Sequence, residues 1–168
     1  MNEMDEEYQP NNLQKMPSKN HSLITGRITG LLFNDERFAV MPELSLDTSQ
    51  IELSQFNLKA KDELIPDICV YDSNAIEFID VEDVSKVADM PLLAIEVLSP
   101  QQAMNEIINK FKAYFAIGIK SCWLVMPAIK SITIYSKPDQ YKTFDINDNE
   151  IIDKTMDIRL PAQNIFSR

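Results

Sequence analysis

The segment that most constrains this chain is residues 91–118, PLLAIEVLSPQQAMNEIINKFKAYFAIG. Positions 92–98 are apolar but for one, the pattern of a strand covered on both faces. The exception is Glu96. A carboxylate in such a strand needs a cation, a metal or a proton, because an isolated buried charge is too costly to persist. Beyond the strand, Ser99 is suited to cap a helix, Pro100 to occupy its first position, and Gln102 to complete a Ser-x-x-Gln capping box. Met104, Ile107, Ile108, Phe111, Tyr114 and Phe115 then recur at helical spacing and form one apolar stripe. Lys110 lies at the edge of that stripe, and Gly118 is placed to end the helix in a left-handed conformation. The unit sets a carboxylate inside a sheet and an ammonium on the rim of the next helix.

At 168 residues the chain suits one domain with a real core. Residues 1–16 are acidic, polar and without period, which predicts a disordered tail followed by a single domain over 17–168. That N-terminus has neither the signal-peptide nor the transit-peptide pattern. No apolar run approaches the ~18 residues of a membrane span. The expectation is a cytoplasmic protein. Ser18 can cap a helix reaching about Phe33, with Ile24, Ile28, Leu31 and Leu32 as its apolar face. His21, the one histidine, sits in its first turn, as a helix-edge residue or a substrate contact. Residues 37–47 alternate as one strand, 50–64 are a loosely patterned connection, and 65–71 form another strand with Asp67, Cys69 and Tyr71 on one side. An acidic loop over 72–90 returns to residue 91. Further strands are predicted at 119–126 and 131–135, and 141–146 pairs with 151–158 as a peripheral ribbon. Cys69 and Cys122 fall in apolar runs and read as buried, reduced thiols without zinc-ligand spacing.

The formal net charge of −10 argues against a broad nucleic-acid-binding surface. A local basic patch is still open, since Lys110, Lys112 and Lys120 have only Glu106 against them in the helix region. There is no P-loop, no GxGxxG and no GxSxG, and a serine triad would have to rely on His21 alone. What remains is Asp67, Glu96 and Lys110, with Glu43 as a fourth candidate. Two neighbouring carboxylates cannot both stay ionised cheaply. A divalent cation resolves the conflict, and hard oxygen ligands suit magnesium or manganese. Such an ion acidifies a water and stabilises charge on a phosphoryl oxygen, where a lysine could position the water or neutralise developing charge. The bland reading stands beside it: an Asp after a Pro caps a strand entry, and a rim lysine covers apolar surface with its stem. Spacing alone leaves both open.

The blocks Pro66-Asp67, then Glu96-Val97-Leu98-Ser99-Pro100, then Lys110, Tyr114, Gly118, Trp123 and Pro127 resemble, in order and spacing, the Uma-type family of putative restriction endonucleases. That family, formerly a domain of unknown function, is placed in the PD-(D/E)XK nuclease superfamily. The resemblance spans residues 20–136. It implies an α/β, restriction-endonuclease-like αβββαβ core with a mixed β-sheet flanked by helices. It implies that Asp67 and Glu96, with the Val97 backbone carbonyl, hold magnesium, manganese being able to substitute. The early strand glutamate of the family matches Glu43. The superfamily lysine usually lies two residues beyond the glutamate. That position is Leu98 here, and the resemblance puts the replacement at Lys110. His21 and Lys112 are candidate substrate contacts. Glu106 stands where the family often has Asp, and Ser121 and Met126 stand where it often has acids. The implied activity is magnesium-dependent hydrolysis of DNA phosphodiesters through a metal-activated water, by a homodimer able to cut both strands. The alternatives are a catalytically silent nuclease-fold binding or assembly module, which an acidic surface favours, and a hydrolase of a small phosphorylated substrate.

Overall fold

A computed structural model of the chain describes residues 18–60, 62–78 and 82–167; the tail expected over residues 1–16 lies outside them. In chain order the elements are α1 (Lys19–Phe33), β1 (Phe38–Pro42), β2 (Leu46–Asp47), β3 (Glu63–Leu64), β4 (Ile68–Asp72), β5 (Leu93–Val97), α2 (Met104–Ala116), β6 (Ser121–Met126), β7 (Ser131–Lys137), β8 (Gln140–Asp145), β9 (Glu150–Asp153), β10 (Ile158–Pro161) and α3 (Ala162–Phe166).

Every residue of β5 is buried, as its apolar run requires, and β5 lies inside a six-stranded sheet of order β1-β4-β5-β6-β7-β8. It pairs antiparallel with β4 and parallel with β6. A parallel step needs a crossover, and α2 supplies it. The remaining neighbours are antiparallel, so the sheet is mixed. The αβββαβ core is α1, β1, β4, β5, α2 and β6.

Alternation of side chains divides the core into two layers. Ile68, Val70, Leu93, Ile95, Val97, Trp123 and Val125 pack with Ile24, Ile28 and Leu32 of α1, the β9–β10 ribbon and α3. Cys69, Tyr71, Ala94, Cys122 and Leu124 face the other way, under Ile107, Phe111, Ala113 and Tyr114 of α2. Both cysteines are free and fully buried. Glu96 alternates with Ile95 and Val97 and so belongs to the α2 face. Among the described residues no helix is long and apolar enough to cross a membrane.

The structure corrects the sequence reading at several joints. α2 begins at Met104 with Ala103 as its cap residue, and Ser99 does not cap it. Instead residues 99–102 make a separate turn, in which the Gln102 amide donates to the Ser99 carbonyl at 3.0 Å and the Ser99 amide to Gln102 Oε1 at 3.4 Å. The chain uses this turn to climb from the sheet to the layer above. The alternating run over 37–47 is two strands, broken at Glu43, whose φ of 52° is left-handed. Its first half pairs with β4 and its second with β3. Residues 140–145 extend the main sheet, because the two-residue connection after Lys137 forces β8 to fold back on β7. The peripheral ribbon is β9 with β10. The five-residue α3 is too short to show a period. Gly118 has the positive φ, 101°, expected of a residue ending α2.

Asp153 ties the ribbon to the sheet. It is 1% exposed, and its Oδ2 accepts from Ser121 Oγ at 2.5 Å and Trp123 Nε1 at 2.7 Å. Its Oδ1 accepts from the Met156 amide at 3.0 Å. Asp153→Ala would strand three donors, so it should cost about 3–5 kcal/mol in urea unfolding. The exposed neighbour change Lys154→Ala should stay within about 0.5 kcal/mol. Equal effects of the two would mean that the Asp153 bonds do not hold the ribbon.

Candidate active site

The register of the sheet brings two carboxylates together. Ile68 lies opposite Ile95 and Cys69 opposite Ala94. Continuing that antiparallel count by one residue sets Asp67 opposite Glu96, and opposed residues share a face. Pairing alone therefore places the two acids side by side where β4 begins and β5 ends.

Asp67 is held at both oxygens. Oδ2 accepts from the Val97 amide at 2.6 Å, and Oδ1 lies 3.3 Å from His21 Nε2. The N–H and C=O of one strand residue point to the same edge, so the Val97 carbonyl also faces the Asp67 side. The next amide, that of Leu98, turns the other way and donates to the Val125 carbonyl at 2.8 Å.

Glu96 is 2% exposed. Its Oε1 accepts from the Tyr114 hydroxyl at 2.7 Å. Burial pushes its pKa up to about 7, and Asp67 adds to the rise through charge and hydrogen bonding. The positive charge of Lys110 and the Tyr114 hydrogen bond oppose the rise without cancelling it. The Tyr114 hydroxyl is itself raised well above its ordinary value, first by burial and then by the Glu96 charge, so it stays a donor. Lys110 is one turn before Tyr114 on α2, hence on the same side. Among the described residues Lys110 makes no hydrogen bond or ion pair and acts on Glu96 by charge alone.

His21 reaches the site because Ser18 fixes the first turn of α1, its Oγ accepting from the His21 amide at 3.1 Å. The ring pKa is raised, chiefly by the hydrogen bond to Asp67 and then by the charges of Asp67, Glu96 and Glu43, with burial opposing. His21 Nδ1 is buried without a hydrogen-bond partner among the described residues. Glu43 is exposed at the rim, and its amide donates to the Asp67 carbonyl at 3.1 Å. Its left-handed backbone is what turns the chain there.

Asp67, Glu96 and Lys110 are thus brought together, with His21 beside Asp67 and Glu43 at the edge. Lys112 is not: it is exposed, about 200° round the helix from Lys110. Tyr114 is the residue whose role sequence reasoning missed: it figures there in the apolar stripe and in the family pattern, without a part in the site. The available signal was chemical, since a buried tyrosine hydroxyl seeks a partner and the strand beneath carries a buried acid. Among the described residues no three His, Cys, Asp or Glu side chains form a ready metal cluster. The site offers two convergent carboxylates, an edge carbonyl and one nearby cation.

The family described as "Uma2: Putative restriction endonuclease" matches the chain over residues 2–162. No curated protein matches it. Among solved structures, the chain is similar to one titled as a putative nuclease belonging to DUF820 from Anabaena variabilis ATCC 29413. The TM-score is 0.71 and the identity 19%, over 92% of this chain and 84% of that one. At such identity the likeness is one of fold.

The raised pKa of Glu96 has a thermodynamic consequence. Between the ordinary glutamate value of 4.5 and about 7, the folded state binds more protons than the unfolded state. Stability therefore falls as pH rises through that window, and the full cost is present above it. Glu96→Gln removes the ionisation, so without divalent ions it should be more stable than wild type at pH 8, by up to roughly 3 kcal/mol. The advantage should shrink as pH approaches 4.5. Urea unfolding at several pH values checks this, and a difference that does not change with pH would show that Glu96 titrates alike in both states.

Proposed function

This chain belongs to the Uma2 family, and from that membership we propose that it is a magnesium-dependent DNA endonuclease whose site is Asp67, Glu96 and Lys110. The observation that carries the reading is the convergence of Asp67 and Glu96 beside the charge of Lys110. Two acids held together, one buried and pushed to about 7, are what a cation would relieve. The donors are hard oxygens: the two carboxylates, the Val97 carbonyl on the same edge and, at the rim, Glu43. That set fits magnesium or manganese and has none of the sulfur or paired imidazole that zinc favours. When bound, the ion supplies acidification of a water and neutralisation of charge on a phosphoryl oxygen.

The chain's own residues do the rest. The Val97 amide and His21 orient Asp67, and Tyr114 orients Glu96. Lys110, with no ion pair among the described residues to occupy it, brings positive charge to the phosphate oxygens as the phosphodiester opens. His21, drawn toward its cationic form by Asp67, adds charge at the mouth of the site. A double-strand cut calls for two copies related by a two-fold axis. The second reading, a silent nuclease-fold module, is favoured by the net charge of −10.

Plasmid cleavage separates the two. With magnesium, wild type should nick or cut, and Asp67→Asn and Glu96→Gln should abolish the reaction while staying folded. Lys110→Ala should slow it about 10²–10³-fold and keep its metal binding, because the lysine acts on substrate charge and not on the ion. At about 5 mM magnesium and a dissociation constant of about 1 mM, wild type should gain roughly 1 kcal/mol, or roughly 2–4 °C in Tm. Glu96→Gln should gain less, with sodium chloride at matched ionic strength as control. Cleavage that survives equally in all variants is a contaminant's. Absence of both cleavage and a carboxylate-dependent metal shift would favour the module.

A further inference from the structure

The geometry points to Lys130, in the turn between β6 and β7, as a phosphate contact that holds the substrate strand two or three phosphates from the one that meets Glu96. The inference rests on the nuclease reading of Asp67, Glu96 and Lys110.

Topology puts the lysine there. β5 and β6 are parallel, with Val97 opposite Val125, so both strands end on the side where Asp67 and Glu96 converge. Ligands of such sheets bind beyond the carboxyl ends of the parallel strands. β6 ends at Met126, and one short turn, Pro127–Ile129, brings the chain to Lys130 and into β7, where Ser131 lies opposite Met126. That turn packs against α1, the helix that carries His21. Neighbouring strands lie about 4.8 Å apart, which sets Lys130 on the order of 5–10 Å to the side of β5. A nucleic-acid strand has a phosphate about every 3.4 Å of duplex axis, so that offset spans two or three phosphates.

Backbone conformation sets Lys130 apart from other surface lysines. Its φ of 48° is left-handed. That region drives Cβ toward the carbonyl oxygen, and glycine or asparagine is the usual choice at such a cap. Among the described residues the non-glycine positions with left-handed φ are Glu43, Asn57, Lys130 and Asp157. Asn57 and Asp157 are of types that visit the region routinely. Glu43 and Lys130 are not, and both stand at the site end of the sheet: Glu43 beyond β1, its amide on the Asp67 carbonyl, and Lys130 beyond β6. Nothing in the turn calls for a lysine. The one bond Lys130 makes there is from its backbone amide to the Pro127 carbonyl, at 3.2 Å. Its side chain is exposed and makes no hydrogen bond or ion pair among the described residues. A strained residue that its own turn does not need is a pointer to function, and here it brings a cation to the rim of the site.

The test is anisotropy titration of a fluorescently labelled DNA duplex with magnesium, using the full chain with Glu96→Gln so that no cleavage competes. Adding Lys130→Gly should weaken binding severalfold and flatten the slope of log affinity against log salt by about 0.9, the loss of one phosphate contact. The same change relieves the backbone, so Tm should hold or rise by up to about 4 °C. Lys130→Arg should keep the original slope. Lys120→Ala removes the same charge from an exposed position before β6, at the opposite end of the sheet, and should also keep it. An unchanged slope in Lys130→Gly overturns the inference, as does an equal loss in Lys120→Ala, since net charge would then be the cause. A fall in Tm in Lys130→Gly also overturns it, because the lysine would then be holding its own turn. If the parent chain binds no DNA at all, the DNA reading of the site falls and the inference with it. If the parent binds and Lys130→Gly keeps the slope, only the role of Lys130 falls.

Discussion

The structure depends on keeping one carboxylate, that of Glu96, inside its central strand. Desolvation alone would keep that group protonated well above its ordinary range, and the fold supplies just enough against it to leave the pKa near 7. Tyr114 gives a hydrogen bond and Lys110 a charge, both from α2. That explains why the parallel crossover between β5 and β6 is made by this helix with this stripe: the turns that cover the strand also carry the groups that answer its acid. A helix of purely apolar face would have packed as well and left Glu96 with nothing.

A second buried carboxylate in the same fold shows what a finished structural acid looks like. Asp153 is as buried as Glu96, yet it accepts from a serine hydroxyl, an indole and a backbone amide, and so joins β9 and the turn after it to β6. Glu96 accepts from one hydroxyl, feels a lysine that does not touch it, and faces a second acid. Buried polar groups kept for stability are satisfied locally. A group left short of partners beside a like charge costs stability, and such costs collect where chemistry is done. The two acids lie on opposite layers of one sheet, so their difference follows from partners and not from depth.

What was legible in the sequence was local. Ser18 as a cap, the apolar side of α1, the continuous run of β5, the α2 stripe and the positive φ of Gly118 are each decided within a few residues, and the structure has them all except Met104, which the stripe included and which is exposed. The failures are decided by pairing or packing across the chain. Ser99 looks like a helix cap but is spent on the turn that lifts the chain off the sheet. Residues 37–47 keep a strand period through Glu43, where the backbone nevertheless turns left-handed and changes partner. The ribbon was misassigned because nothing local says which hairpin joins the main sheet. At the site, Asp67 and Glu96 could be nominated singly, but their opposition follows from a register that only the folded sheet defines. Tyr114 and His21 were visible as residues, and their aim at those acids was not.

Net charge is a further case in which a whole-chain quantity says little about one place. The excess of ten acids argues against a protein that coats DNA. Charges further apart than a Debye length of about 10 Å are largely screened at ordinary salt, so a site responds to its own neighbours. The acidic loop over residues 72–90 leaves β4 at Asp72 and rejoins the sheet before Leu93, at the end away from Asp67 and Glu96. Around those two acids the neighbours are Lys110, the His21 ring drawn toward its cation and, at the rim, Glu43. One divalent ion there would turn a locally negative pair into a neutral one, leaving two cations against the one acid at the rim. On the proposed nuclease reading, an acidic protein could in this way present a positive point to a phosphate while its other acids repel the rest of the polymer.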